Sequence, residues 1–397
     1  LMQEGVEGVV IDLRDNGGGS LQAAKTLTGL FIDRGPTVQI RSKSNRVDIL
    51  NDRDIRTIYD GPLAVLVNRL SASASEIFAA AMQDYNRAVI MGGNQTYGKG
   101  TVQNILPINK FYPKYEKDLG FLKMTIQKFY RVNGGSTQKE GVYSDIAMPT
   151  RYSYMKIGER DLDGALAWDK VDRANYTVVN SYSNFGEVVD NSNERILQNP
   201  NFSLINDYAK WLKKSQDDTS YSLNFKQFTK DAKKHEKSGE KFKSVFKFKS
   251  DLKFVSPKSE LPLIEKEVVS KDKRTAWHQS LAKDIYINEA LNVLSELQIG
   301  LLLGFNGFLI FALEMPLIKW LEDSKYSKEF LIFFGLLLTG ASFLVLNLFS
   351  WSGVLIIGMF LMTIGEMIAF PFSNAFVMER AKRGKQGEYM AYYSIAF

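Results

Sequence analysis

The chain contains no cysteine, and its 397 residues include only two histidines, His235 and His278. The first absence excludes disulfides, thiolate nucleophiles and cysteine-ligated zinc, and leaves the redox compartment unspecified. The second means that a histidine-based triad or a multi-histidine metal site would have to be built from those two side chains. No metal or organic cofactor is expected. A concentrated basic arm is missing as well. The formal charge is +6 with a pI near 9.0, but the basic residues are not gathered into one stripe, and much of the excess lies between Lys226 and Lys258. Nucleic acid is therefore not an expected partner. Nor does a leader precede the first strand-like run. The chain begins at Leu1 and reads as a fragment.

What is present is ordinary globular composition, 24% charged and 45% hydrophobic, over a length that allows two or three domains. The mean hydropathy of −0.17 hides a sharp shift, because the last hundred residues are far more apolar than the rest.

The run GVVIDL, Gly8 to Leu13, reads as a buried strand entering a glycine-rich corner. Ser20 caps a predicted helix over Leu21 to Ile32, and Thr37 to Ile40 reads as a strand. A second strand, loop and helix follow: Leu63 to Val67, the small-residue turn Asn68 to Ala72, and Ala74 to Asp84 with Ile77, Phe78, Ala81 and Met82 on one face. Ala88 to Met91, Val102 to Leu106 and Leu122 to Tyr130 supply further strands. This alternation predicts an α/β core with at least part of its sheet parallel. From about Asp161 to Gln298 the chain turns polar, Lys-rich and helix-prone, with amphipathic stretches such as Leu204 to Leu212.

Three apolar runs then follow, Ile299 to Ile318, Phe330 to Phe349 and Gly353 to Val377, each long enough to cross a bilayer. Lys319, Lys325 and Lys328 lie between the first two. The uncharged Ser350-Trp351-Ser352 separates the second and third, and Arg380, Lys382, Arg383 and Lys385 follow the third. The positive-inside rule makes the two basic loops cytoplasmic, so everything before Ile299 is expected outside the cytoplasm.

The sharpest local signal is Ser71-Ala72-Ser73-Ala74-Ser75-Glu76, where a strand turns into a helix. Such a corner suits a nucleophile, because its hydroxyl stands clear of the sheet and backbone N–H groups at the helix start are free for an oxyanion. The same Ser73 and Glu76 would equally form a capping box. A serine nucleophile needs a base within reach, and neither histidine lies in the α/β core. Lys99, between Gly98 and Gly100, is the remaining candidate. As a base it would have to be neutral, which burial favours; as a loop lysine it would be solvated. Gln103 lies on the Lys99 face of an extended strand, either facing the lysine or as an ordinary polar strand residue. Arg14-Asp15-Asn16-Gly17-Gly18-Gly19-Ser20 lacks both the dinucleotide and the Gly-Lys-Ser/Thr phosphate patterns. Its bare backbone is either a tight turn or a donor to a tetrahedral intermediate.

Together, DLRDNGGG at Asp12 to Gly19, SASASEIFAAAMQDY at Ser71 to Tyr85 and YGKGTVQ at Tyr97 to Gln103 resemble the carboxy-terminal processing, or tail-specific, protease family. The resemblance covers roughly residues 1–298. It implies an α/β serine-protease core of the crotonase-like αββ type over residues 1–160, followed by a mainly helical, Lys-rich C-terminal domain over 161–298. It also implies Ser73 as nucleophile, Lys99 as general base and Gln103 as the residue that orients it. The backbone N–H groups of Gly19 and Ala74 would form the oxyanion hole, and Asp84 would give structural support. The implied substrates are proteins or peptides with nonpolar C-termini, and the implied location is the periplasmic side of a bacterial cell envelope. By the same resemblance, a PDZ module and the opening part of the protease domain would lie before Leu1.

Residues 299–397 form three transmembrane helices and more. GEMIAFPFSNAFVMERAKRGKQGEYMAYYSIAF, Gly365 to Phe397, resembles part of a major facilitator superfamily transporter, which places residues 299–377 in the inner membrane. Glu314 and Glu366 lie in or beside these runs, where a carboxylate serves proton-coupled transport or reaches water at a helix end. Three spans and part of a fourth cannot build a two-halved transporter. The join near Gln298-Ile299 reads as a fusion of two unrelated segments. The alternatives to a protease are a fused fragment whose membrane part derives from a transporter, and an inactive peptide-binding scaffold.

Overall fold

A computed structural model describes residues 5–179, 182–265, 268–348 and 353–381. It divides into two compact units, Leu1–Leu297 and Gln298–Phe397. Ser350, Trp351, Ser352, Lys382, Arg383 and Lys385, and the stretch from Lys382 to Phe397, lie outside the described residues.

The first unit holds eight strands among its described residues: β1 (Val9–Asp12), β2 (Gly35–Ser42), β3 (Val47–Asp52), β4 (Leu63–Val67), β5 (Val89–Gly92), β6 (Thr101–Pro107), β7 (Phe121–Tyr130) and β8 (Ile146–Ala147). They form two sheets. One has the order β1-β4-β5-β8, and every pairing in it is parallel. The other, β3-β2-β7-β6, is antiparallel throughout. A parallel sheet needs both faces covered, and its central strand reads as an unbroken apolar run. β4 is that strand: all five residues of LAVLV are fully buried.

Alternation along β4 divides the core. Leu63, Val65 and Val67 face the helices α1 (Leu21–Gly29) and α2 (Ala74–Asp84), joining Phe31, Phe78 and Met82. Ala64 and Leu66 face the other way, with Val89, Met91 and the C-terminal helices. The opposite side of α1 and α2 carries Ala24 and Ile77, which pack on Val38, Ile40 and Phe129 of the antiparallel sheet. The two helices thus form a layer between two sheets. That layer fixes the α2 N-terminus, because α2 is covered on both sides.

The polar region supplies α3 (Phe185–Gln198), α4 (Pro200–Asp217), α5 (Phe225–Gly239), α6 (Leu261–Glu265) and α7 (Val268–Leu281). Asn199 caps α4 by accepting the Asn201 N–H at 2.9 Å, with Pro200 at the first helical position, where its missing N–H costs nothing. α8 (Ile285–Glu322) starts fourteen residues before the apolar run that predicted it. Asp284 accepts the Tyr286 and Ile287 N–H groups at 2.9 and 3.2 Å and begins the helix there. Its first turns place Ile287, Ala290, Val293, Leu294 and Leu297 in the same core as Leu66 and Met91. Hydropathy alone misses this boundary, because the amphipathic start runs straight into the uniformly apolar stretch.

The second unit contains the rest of α8 with α9 (Lys328–Leu348) and α10 (Gly353–Arg380). All three helices are long and apolar enough to cross a membrane. α9 and α10 approach closely at small residues: a Cβ on Gly335 would lie 2.7 Å from the Gly365 carbonyl oxygen. Lys328 pairs with Glu379, and Arg380 lies 3.7 Å from Glu329, so the start of α9 meets the end of α10. Glu314 lies within α8 and Glu366 within α10.

Candidate active site

The turn from β4 into α2 is fastened before Ser73 is reached. Ser71 Oγ donates to the Leu13 carbonyl at 2.7 Å and accepts the Asn68 N–H at 2.9 Å, while Asn68 Oδ1 accepts the Leu70 N–H at 2.9 Å. Ser73 then adopts φ 57° and ψ −114°. A residue with a Cβ in such a conformation stores about 1–3 kcal/mol of strain, which only an over-determined surrounding retains. α2 begins at the next residue.

The glycine-rich loop after β1 lies against this corner. Asn16 O accepts the Ala72 N–H at 3.0 Å and the Ser75 hydroxyl at 3.1 Å. Gly18 has φ 93°, and a Cβ there would fall 2.5 Å from the Ala72 carbonyl oxygen and 2.8 Å from the Ala74 nitrogen. Only glycine permits that approach. Neither the Gly19 nor the Ala74 N–H has an acceptor among the described residues. Two unspent donors beside a strained serine are what an oxyanion requires.

Lys99 is half-buried, and both neighbouring glycines are needed for space. A Cβ on Gly98 would lie 2.9 Å from the Lys139 backbone, and one on Gly100 would lie 2.7 Å from the Gln138 nitrogen. The lysine backbone is joined to the serine corner by Glu76. Glu76 Oε2 accepts the Ser73 N–H at 2.7 Å and the Lys99 N–H at 2.9 Å, and Oε1 accepts the Thr96 hydroxyl and the Gly98 N–H, both at 2.6 Å. Glu76 is fully buried. Burial pushes its carboxyl up to about 7, against the downward pull of these four donors.

The structure thus brings together the Ser73 corner, the Lys99 loop and the glycine loop. It forms no hydrogen bond between the Ser73 and Lys99 side chains among the described residues. Gln103 is exposed on β6, at a register shift after Val102, and its side chain has no hydrogen bond to Lys99 among the described residues. Asp84, at the end of α2, has a side chain 4% exposed and pairs with Arg131 at 2.6 Å, while Asn133 Nδ2 donates to it at 2.8 Å.

Two features were not legible as functional in the sequence. Glu76 reads there as a capping residue, although a carboxylate among Ile77, Phe78 and three alanines, all buried, signals that it must have partners. Arg14 pairs with Asp12 and with Asp284, at 2.7 Å in each case. A partner 270 positions away leaves no local signal.

Residues 1–148 match the model of peptidase family S41, and residues 152–298 match that of the C-terminal domain of tail specific protease. Residues 282–397 match the Major Facilitator Superfamily. The chain is 46% identical over 230 residues to a tail-specific protease of Haemophilus influenzae, an alignment covering 57% of this chain and 33% of that protein. It is 36% identical over 166 residues to a carboxy-terminal-processing protease of Bartonella bacilliformis, covering 40% and 36%. The chain therefore spans about a third of the length of these relatives. A solved photosystem II D1 C-terminal processing protease aligns at 32% identity with a TM-score of 0.32, over 37% of this chain and 36% of the other.

Proposed function

We propose that residues 1–298, which are similar to the tail-specific, or carboxy-terminal processing, proteases, carry a Ser/Lys dyad which hydrolyses peptide bonds through an acyl-enzyme. Neutral Lys99 takes the Ser73 hydroxyl proton as Oγ attacks the scissile carbonyl. The Gly19 and Ala74 N–H groups hold the resulting oxyanion. Collapse breaks the C–N bond, the lysine returns the proton to the leaving amine, and water, deprotonated by the same lysine, releases the acyl group. The observation that carries this reading is the shared Glu76 carboxylate, which ties the backbones of Ser73 and Lys99 to one buried point. Side-chain contact in the dyad, and any orienting role for Gln103, would be completed with substrate bound, since catalytic hydrogen bonds tighten in the Michaelis complex.

In the same proposal residues 1–160 are the catalytic domain, 161–298 the accessory domain and 299–397 the membrane segment. The substrates are proteins with nonpolar C-terminal tails, cut on the periplasmic side of a bacterial inner membrane. The test is cleavage of a reporter protein ending in a nonpolar tail by the full chain. Ser73→Ala and Lys99→Ala are each expected to lower the rate by about 10²-fold or more. Undiminished cleavage by either variant sinks the dyad, and equal cleavage of a charged tail sinks the substrate preference.

A further inference from the structure

The fold creates a basic stripe that the linear sequence does not show. α5 has no buried residue along its whole length. At the helical repeat, Lys226, Lys230, Lys233, Lys234 and Lys237 fall within an arc of about 100°, opposite Phe225, Phe228, Ala232 and His235. All five lysines are exposed, and none forms an ion pair among the described residues. The apolar face is occupied at its C-terminal half only: the His235 ring lies 4.7 Å from that of Trp211 in α4, and His235 Nε2 lies 2.8 Å from Ser215 Oγ. At the other end Tyr221, Leu223, Phe225 and Phe228 are open to solvent, Leu223 fully so.

Lysines three and four positions apart repel, and a short helix without a buried face gains little to offset that. An anionic surface would remove the repulsion and take up the exposed aromatics. We propose that α5 docks on the anionic phosphate headgroups of a phospholipid bilayer, lysines against phosphate and the Tyr221–Phe228 end among the headgroups. Between residues 225 and 249 the chain carries nine lysines and three acidic residues, an excess equal to the formal charge of the whole protein, +6. The bilayer is favoured over a nucleic acid because the same chain carries three helices apolar enough to cross one. They would hold α5 at high effective concentration near such a surface.

The test reconstitutes the full chain in nanodiscs of phosphatidylcholine alone or with about a third phosphatidylglycerol, and follows amide hydrogen exchange in residues 225–239. Exchange is expected to be roughly tenfold slower or more in the anionic discs. The slowing should disappear in 0.5 M salt and in a variant with all five lysines changed to glutamine. Exchange elsewhere in the chain reports whether that variant is folded, and glutamine keeps the helix propensity of lysine. Equal exchange in both lipids, slowing that survives the five substitutions, or slowing by added single-stranded DNA but not by anionic lipid would each overturn the proposal.

Discussion

The amide N–H groups of Ser73 and Lys99 converge on a single oxygen, Glu76 Oε2, at 2.7 and 2.9 Å. Two loops 26 residues apart in sequence are thereby held by one acceptor that is itself buried in α2. The arrangement relates the geometry of the corner to the state of a titratable group. A carboxylate can accept all four of its donors, whereas protonation of either oxygen displaces at least one of them.

The pH dependence follows from that carboxyl. Its folded value of about 7 lies above the ordinary 4.5, so the folded protein binds this proton more tightly than the unfolded chain does. The contribution to stability is complete below 4.5 and is lost as pH rises to about 7, amounting to about 3 kcal/mol if the full difference is expressed. Urea midpoints of the full chain in detergent, followed by near-UV circular dichroism, should fall over that window. Glu76→Gln should remove the fall while weakening cleavage, because an amide nitrogen cannot accept the N–H donors of one side.

Gly18→Ala tests the close approach of the glycine loop. The added methyl would meet the Ala72 carbonyl oxygen at 2.5 Å in a φ 93° conformation. We expect a loss of about 1–3 kcal/mol in unfolding free energy and a fall in kcat larger than any change in KM, since the Gly19 donor is the next residue of the loop and moves with it. Unchanged kcat would separate this loop from the oxyanion.

Asp84 gives a contrasting case. Asp84→Ala leaves Arg131 without its carboxylate and should cost about 3 kcal/mol, read as a lower urea midpoint. Activity per folded molecule should be retained, because Asp84 reaches Arg131 and Asn133 and not the serine corner.

Arg14 links the strand before the glycine loop to the start of α8. Its guanidinium donates to Asp284 at 3.2 and 2.7 Å and to Asp12 at 2.9 and 2.7 Å. Asp284→Ala should therefore loosen both the helix cap and this link, at about 1–2 kcal/mol for the cap. Hydrogen exchange should quicken in residues 285–290 and in residues 12–16 together. Quickening in the helix alone would show that the two are uncoupled.

The sequence made β4, α2 and the start of α1 legible, because an unbroken apolar run and a capped amphipathic repeat are local signals. The expected Leu63–Val67 and Ala74–Asp84 are the observed elements. The α1 expectation overran, as the helix ends at Gly29 and not at Ile32. β3 and β8 were missed. β3, Val-Asp-Ile-Leu-Asn-Asp, shows no regular alternation of apolar and polar residues and lies on a sheet edge with Val47 and Ile49 exposed, and β8 has two residues held by pairing to β5. Motif resemblance named Ser73, Lys99 and the glycine loop. It could not name what joins Ser73 to Lys99, since Glu76 reaches Thr96, Gly98 and Lys99 through contacts that are remote in sequence.

The most direct measurement is labelling of the full chain with a serine-directed acylating probe, with the adduct located by mass spectrometry. The account predicts an adduct on Ser73 in the wild type, lost in Ser73→Ala and lowered about 10²-fold or more in Lys99→Ala. A wild-type chain that acquires no adduct on Ser73, or a Lys99→Ala chain that acquires it at the wild-type rate, would contradict the dyad.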